Sequence, residues 1–402
     1  MSSSVMVWSD DLVGYDFGSG HPMRPVRLVL TLELMRALGV LEVSGLEMRA
    51  AAEAGDHDLQ RVHTPAYIAA VKRAEADGVS DLDAGLGTEE NPVFAQMHSA
   101  SARLAGATLE AARSIWPAGP GDLGQAPTRA LSLAGGMHHA MAGRASGFCV
   151  YNDLAVAISW LLDHGARRVA YVDLDAHHGD GVERAFWDDP RVLTVSVHQH
   201  PSTLFPGTGY STDIGGAEAP GTAANVGLPV GTRDAAWLRA VDAVASPLVA
   251  HHAPDVLVTQ HGCDCHGNDP LAGLNVSVDA QRQSAIMMSR LAADAGARWL
   301  ATGGGGYDVL SAVPRAWSHL AAVVAGAPID PQTPVPTGWR ELVTEAGEPY
   351  PPRAMSDGVE ASVVENFPRF IDGYNPEDAV DRAIMATRQA VFPGHGLDVL
   401  LD

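Results

Sequence analysis

The sequence predicts an α/β protein whose parallel sheet is flanked by helices. Three observations carry that expectation. From residue 129 onward, short apolar or β-branched runs alternate with helical stretches, which is the pattern of βαβ units. Polar residues able to do chemistry gather just after those runs, where parallel strands open their carboxyl-end crevice. The hydrophobic fraction, 46%, is enough for a substantial core.

Taken in order, residues 5–8 read as a first strand and 16–25 as a loop carrying Gly18, Gly20, Pro22 and Pro25. Residues 26–38 have helical periodicity and stop at Gly39. A helix over 65–76 has Thr64 as its N-cap. Residues 77–94 form a polar loop, 95–116 a long Ala-rich helix, 117–127 a Pro/Gly linker and 129–133 a strand. Helices are then expected over 153–164, 181–187, 235–251, 280–295 (N-capped by Asp279) and 313–324. Strands are expected over 168–172, 192–197, 256–259 and 298–301. Residues 328–353 are Pro-rich and irregular, and 376–390 give a last helix. Length alone admits two or three domains. We expect one body, residues 1–327, with 328–402 wrapped over it.

The formal net charge of −22, with no basic patch, argues against a nucleic-acid partner. It suits a cationic ligand. Three cysteines, two of them Cys263 and Cys265, are no disulfide scaffold, so a reducing, cytoplasmic setting is expected. The first eleven residues lack a basic n-region, and no run approaches the ~18 apolar residues of a membrane span. Neither a signal peptide nor a membrane partner is expected.

The chain is organised around Tyr171-Val172-Asp173-Leu174-Asp175-Ala176-His177-His178-Gly179-Asp180-Gly181. An apolar strand ends there in three acids and two histidines, groups costly to bury unless paired or bound to metal. Alternation in an extended chain points Asp173, Asp175 and His177 the same way, able to grip one divalent cation. Other strand ends deliver more. Gly135-Gly136-Met137-His138-His139-Ala140 follows the first of them, and His198 and His200 precede Phe205-Pro206-Gly207-Thr208-Gly209. His261, Cys263, Asp264, Cys265 and His266 come next, then Gly303-Gly304-Gly305-Gly306-Tyr307. Singly, each has a bland reading: a His-His pair is usually a surface turn, and a Gly-run is a flexible loop. The Gly-run is no nucleotide loop, since no Gly-Lys-Ser/Thr follows it. Cys263 and Cys265 read as small buried hydrophobes pointing away from the metal side of an extended segment. His57, His63, His98, His251 and His252 read as structural or surface residues.

These motifs, with Ser-Gly-Phe-Cys at 146–149 and Gln-His-Gly-Cys-Asp at 260–264, resemble the zinc-dependent histone deacetylase family in order and spacing. Residues 15–25 and the tail Phe392-Pro393-Gly394-His395-Gly396-Leu397 resemble its bacterial acetoin-utilisation branch. The resemblance implies the arginase–deacetylase fold, a single domain with a central, mostly parallel sheet, and makes 1–327 the catalytic part. It implies that Asp175, His177 and Asp264 bind one Zn²⁺ (Fe²⁺ being the alternative in the cell). It implies that His138 and His139 sit beside the attacking water, oriented by Asp173 and Asp180, and that Tyr307 polarises the substrate carbonyl. It further implies tunnel walls at Gly147, Phe148, Phe205 and Leu271, and a structural K⁺ near Asp173, Asp175, His177 and Ser196. Glu90 stands where many relatives place an aspartate that grips the substrate backbone. The partner implied is an acetylated lysine of a protein, with acetyl-CoA synthetase the substrate the branch points to. No feature of the sequence encodes an oligomeric state.

Three other functions compete with this reading. An acetylpolyamine amidohydrolase fits the acidic chain, but Leu271 is apolar where polyamine-selective relatives place an acid. A binuclear manganese ureohydrolase would need further carboxylates where Gly179 and His266 stand. A catalytically dead binding protein would not be expected to retain every metal and proton-transfer residue of the family.

Overall fold

The computed structural model describes residues 3–117 and 123–402, so residues 118–122 of the expected linker lie outside the description. In chain order the elements are β1 (Ser4–Val7), α1 (Val26–Ala37), β2 (Leu46–Arg49), α2 (Asp56–Leu59), α3 (Pro65–Asp77), α4 (Met97–Ile115), β3 (Arg129–Ser132), α5 (Asp153–Asp163), β4 (Val169–Asp173), α6 (Asp180–Ala185), β5 (Val192–Gln199) and β6 (Ala223–Leu228). They continue as α7 (Asp234–His252), β7 (Val256–Gln260), α8 (Val278–Asp294), β8 (Arg298–Thr302), α9 (Ala312–Ala325), α10 (Thr337–Glu345), α11 (Ala361–Glu365) and α12 (Ala379–Val391).

The eight strands form one sheet in the order β2-β1-β3-β8-β7-β4-β5-β6, and every pair is parallel. Parallel sheets need helices on both faces, so their central strands are apolar throughout. β4, β5 and β7 are buried at every residue. α4 packs on β1, β3 and α5, while α7, α8, α9 and α1 pack in succession. The chain visits β3, β4, β7 and β8 far apart in sequence, yet they are adjacent in the sheet. Their carboxyl ends therefore converge, and so do the loops that follow them.

The C-terminal stretch 328–402 is tied to this body by several anchors. α10 lays Trp339 and Val343 against Leu30 and Leu34 of α1, and Trp339 Nε1 donates to the Leu30 carbonyl at 2.8 Å. α12 packs on β6 and α7, where Asp381 accepts from Arg239 at 2.7 Å. The Arg388 guanidinium lies 4.9 Å from the Phe370 ring and 4.3 Å from the Phe392 ring, and donates to the Ala243 carbonyl at 2.8 Å. Asp357 accepts from the Val278 backbone N–H at 2.8 Å, pairs with Arg315 at 2.7 Å and lies 2.9 Å from His266 Nε2.

Several expectations need correction. Residues 328–353 are not wholly irregular, because α10 lies within them. Its Pro-rich flanks hide a short helix whose Trp339 and Val343 stand one turn apart and find an apolar partner only in α1. β2 carries no apolar run in the sequence, because it is a polar edge strand with no buried residue. β6, Ala-Ala-Asn-Val-Gly-Leu, lacks β-propensity and is held by pairing with β5. The five-residue α11 was also unforeseen. α8 is capped by Ser277, whose side chain accepts from the Ala280 N–H, and Asp279 lies inside the first turn. Thr64 caps α3 as expected. No helix among the described residues is long and apolar enough to cross a membrane.

Candidate active site

β4 ends at Asp173, and the extended geometry ends with it. Asp173 and Asp175 both face His138, but Asp173 is not part of the cluster that could hold a cation. Asp173 turns to His138, its Oδ2 lying 2.7 Å from Nδ1, and also accepts from the Tyr171 hydroxyl at 2.5 Å. Asp175 and His177 instead meet Asp264 from the loop after β7. His177 Nδ1 is 2.9 Å from Asp264 Oδ2 and 3.1 Å from Asp175 Oδ1. Among the described residues this is the one cluster of three acids, histidines or cysteines whose ligand atoms all lie within 4.8 Å of one another.

The cluster fits a divalent cation. Burial and the Asp175 carboxylate push Asp264 up to about 8. Burial lowers His177, but Asp264 and Asp175 outweigh it, and the net is upward, to about 10. Asp264 and His177 thus retain protons beside an ionised Asp175, at a place where a cation would balance the two carboxylates. The remaining lone pairs are aimed by neighbours. Asp175 Oδ2 accepts from Gln260 Nε2 at 2.7 Å and from the Gly305 N–H at 2.9 Å; Asp264 Oδ1 accepts from the Ala176 N–H at 2.7 Å. A side chain at Gly305 would strike Asp264 Oδ2, and one at Gly262 would strike Asp175 Oδ2. The glycines are therefore required by the closeness of the backbone.

Beside the cluster lie the two histidines, ring centroids 4.0 Å apart. His139 Nδ1 is 2.7 Å from Asp180 Oδ1, matching the His138–Asp173 distance. Each carboxylate fixes the proton on Nδ1 and leaves Nε2 free toward the site. The environments differ. Burial lowers His138, but Asp173 and Asp175 together outweigh it, and it is pushed up to about 9. Burial and then the charge on His138 push His139 down to about 4.

A cavity of about 200 Å³ leads to this floor, lined by Glu90, Gly147, Phe148, Phe205, Leu271, Tyr307, His139 and His177, with Leu204 added. Phe148 sits on a two-residue turn between Ser146 and Cys149, whose backbones exchange hydrogen bonds at 3.1 and 2.8 Å. Both corner residues have positive φ, 51° at Gly147 and 66° at Phe148, as a type I′ hairpin requires. Phe148 is a rare aromatic in the left-handed region, and Tyr15 secures it by donating to its carbonyl at 2.7 Å. Tyr307 meets the Phe148 ring edge-on at 5.7 Å, and Phe205 meets the His139 ring at 5.1 Å. Burial pushes the Tyr307 phenol up, so it stays a donor. Glu90 Oε2 lies 3.4 Å from the Gly147 N–H at the mouth. Ser196 stands opposite Asp173 in the β4–β5 register, its hydroxyl 2.8 Å from His198 Nδ1.

The histone deacetylase domain model matches residues 21–324 of this chain. The chain belongs to the histone deacetylase family. It is 39% identical over 343 residues to the acetoin utilization protein AcuC of Bacillus subtilis (strain 168), covering 84% of this chain and 86% of that protein. It is 35% identical over 337 residues to AcuC of Staphylococcus xylosus, covering 83% and 85%. Within the family it therefore falls in the AcuC-like branch. A solved histone deacetylase homolog from Aquifex aeolicus superposes with a TM-score of 0.77 at 28% identity, over 91% of this chain and 98% of that one. A homolog solved in complex with SAHA gives 0.81 at 26% identity, over 96% and 100%. The all-parallel sheet is thus the arginase–deacetylase fold, and the protein is a metal-dependent deacetylase.

The deacetylase also uses residues that no motif reading singled out. Asp153, buried at the start of α5, accepts from the Gly136 and Met137 N–H groups at 3.0 and 2.7 Å and so holds the loop that carries both histidines. Arg27, 3% exposed, donates to the Gly304 and Gly306 carbonyls at 3.0 Å each and fixes the loop before Tyr307. His21 wedges its ring 4.4 Å from Phe17 and 4.5 Å from Phe148. Asp153 and Arg27 lie inside helices, and nothing local marks them. The reading of Cys263 and Cys265 needs a changed reason. The segment is a turn, closed by the His266 N–H on the Cys263 carbonyl at 3.0 Å, and not extended. Both thiols are buried, Cys263 toward the His261 carbonyl and Cys265 toward Gln281.

Proposed function

We propose that the protein removes acetyl groups from lysine side chains of proteins, releasing acetate. The observation that carries this reading is the shape of the site: a narrow, aromatic-walled cavity of about 200 Å³ ending at a carboxylate–imidazole cluster. A lysine stem is a chain of four methylenes, which rings can flank while the acetyl amide reaches the floor. Asp175, His177 and Asp264 would hold the cation; Zn²⁺ suits two carboxylates and one imidazole, with Fe²⁺ the alternative. Such an ion, when bound, supplies a Lewis acid for the carbonyl and lowers the pKa of water.

The chain's own groups divide the remaining work. His139 faces the cavity and is the histidine held neutral, so its Nε2 takes the proton of the attacking water. His138, carrying the positive charge between Asp173 and Asp175, stabilises negative charge as it develops. Tyr307 donates its hydroxyl to the oxyanion. His139 then returns the proton to the leaving amine. Asp173 and Asp180 keep both rings in register throughout. Phe148, Phe205, Gly147 and Leu271 form the wall, and Glu90 sits where it can meet the substrate backbone. Asp173, Asp175, His177 and Ser196 would hold a structural K⁺, Asp173 and Ser196 standing opposite one another in the β4–β5 register.

The relatives named for acetoin utilization favour an acetylated enzyme of acetate chemistry as substrate, and acetyl-CoA synthetase is the one we propose. The apolar Leu271 at the mouth favours a peptide over a polyamine. The test pairs an acetyl-lysine peptide with acetylspermidine on the same preparation, together with metal analysis and acetyl-proteomes of cells with and without the protein. Acetate should be released faster from the peptide, with one zinc or iron per chain. Faster hydrolysis of acetylspermidine would reverse the substrate reading, and two manganese per chain would end the mononuclear one. Unchanged acetylation of acetyl-CoA synthetase would remove it as substrate.

A further inference from the structure

Beside the tunnel mouth runs a second groove, of about 500 Å³. One wall is the loop after β5, from His200 to Thr203 and again at Tyr210; the other is α12. Ala379, Arg382, Ala383 and Ala386 stand at i, i+3, i+4 and i+7 and so share one helix face. The other face, including Val380, Ile384 and Thr387, is buried in the body.

Two connections join groove to tunnel. The loop is common to both: Thr203 lines the groove, while Leu204 and Phe205 line the tunnel. Thr203 and Phe205 are thus within ~7 Å, the reach of two extended residues. On the other side the Gly231 N–H donates to the Gly273 carbonyl at 2.7 Å, which seats Val230 of the groove beside the segment that carries Leu271. Phe205, Leu271, Val230 and Tyr210 are all exposed, and they mark the path. Charge supplies a third observation. The chain carries a net −22, yet Arg382 is the one charged side chain lining the groove. Its guanidinium donates to the Pro376 carbonyl at 2.9 Å and makes no ion pair among the described residues.

We propose that this groove receives the substrate polypeptide on one side of the acetylated lysine, and that Arg382 selects an acidic residue there. Two to four extended residues cover ~7–13 Å, which spans the step from mouth to groove. The inference rests on the protein-lysine reading of the tunnel. It places sequence selectivity on α12, outside the residues 21–324 that the family model matches.

The test uses the full-length metal-loaded enzyme and two acetyl-lysine peptides, one with Glu three positions from the acetyl-lysine and one with Lys there. A single acetyl-lysine amide is the third substrate. Wild type should favour the Glu peptide by ~5-fold in kcat/KM, the scale of one exposed ion pair. Arg382→Glu should invert that preference. The loss caused by Arg382→Glu should be larger on the Glu peptide than on the single amide. Fluorescence anisotropy of the two labelled peptides reads the same preference as affinity, whatever the turnover. Equal preference in both proteins overturns the proposal. So does an equal loss on all three substrates, which would make Arg382 structural. Displacement of both peptides alike by inorganic phosphate would make the groove a small-anion site instead. Acid-selective binding without hydrolysis of any acetyl-lysine substrate would leave the groove standing and sink the protein-lysine reading.

Discussion

The floor and the rim of the active site are built on opposite terms. At the floor, Asp173, Asp175 and Asp264 are at most 1% exposed, and each carboxylate is held from several directions. Glycines at 262 and 305 leave no space for a side chain. At the rim, Phe205 and Leu271 are 39% and 37% exposed. A floor residue is constrained by burial, charge and hydrogen bonding at once, so almost any substitution violates one of them. A rim residue is constrained by little beyond its own contact with substrate. The floor is therefore rigid in this chain, while the rim groups proposed to meet the substrate are free to vary.

Asp264→Ala should break the floor completely. Two ligands are too few for tight divalent binding, so metal content and deacetylation should vanish together. Atomic absorption showing full occupancy in that variant would mean that Asp264 is no ligand. Next comes Tyr307→Phe, which removes one oxygen and keeps the ring. Turnover should fall on the order of 10²–10³, as for one oxyanion-hole donor, while metal content and Tm barely move. Near-wild-type turnover on an acetyl-lysine peptide would refute the donor role, and lost metal would make the loop a structural support.

Gly305→Ala tests the claim that the floor has no slack. The added methyl must push Asp264 Oδ2, so metal affinity should drop by ~10–100-fold, the usual cost of disturbing a ligand's support. An unchanged metal-binding isotherm would show that the loop yields. Leu271→Glu, at the rim, should have the smallest effect. An acid there attracts a distal ammonium, so relative kcat/KM should move toward acetylspermidine by about threefold to fivefold. Floor and rim would cease to be distinct classes if this exposed change cost as much turnover as Tyr307→Phe.

Much of the floor was legible because its residues are crowded into short motifs next to strand ends. Asp175, His177, Asp264, His138, His139 and Tyr307 each sit within eight residues of a strand, in a parallel sheet that gathers such ends. The strands β4, β5, β7 and β8 were legible from apolar runs, and the helices between them from periodicity. β2 and β6 were not, because an edge strand is half polar and an Ala-Asn-Gly strand owes its existence to its neighbour.

By itself, then, the sequence determined the fold class, the family and the residue types at the floor. These depend on local pattern: periodicity, glycine placement, and acids and histidines at fixed spacing. Alternation alone would admit Asp173 to the cation site; the tertiary structure pairs it with His138 instead, as the family resemblance implies. Only the tertiary structure revealed Asp153 and Arg27 as supports, because their partners lie at least 16 residues away in one case and 277 in the other. And only it set α12 beside the tunnel mouth. The contacts that hold that helix, Arg239 to Asp381 and Arg388 between Phe370 and Phe392, join distant segments through packing that no local pattern encodes.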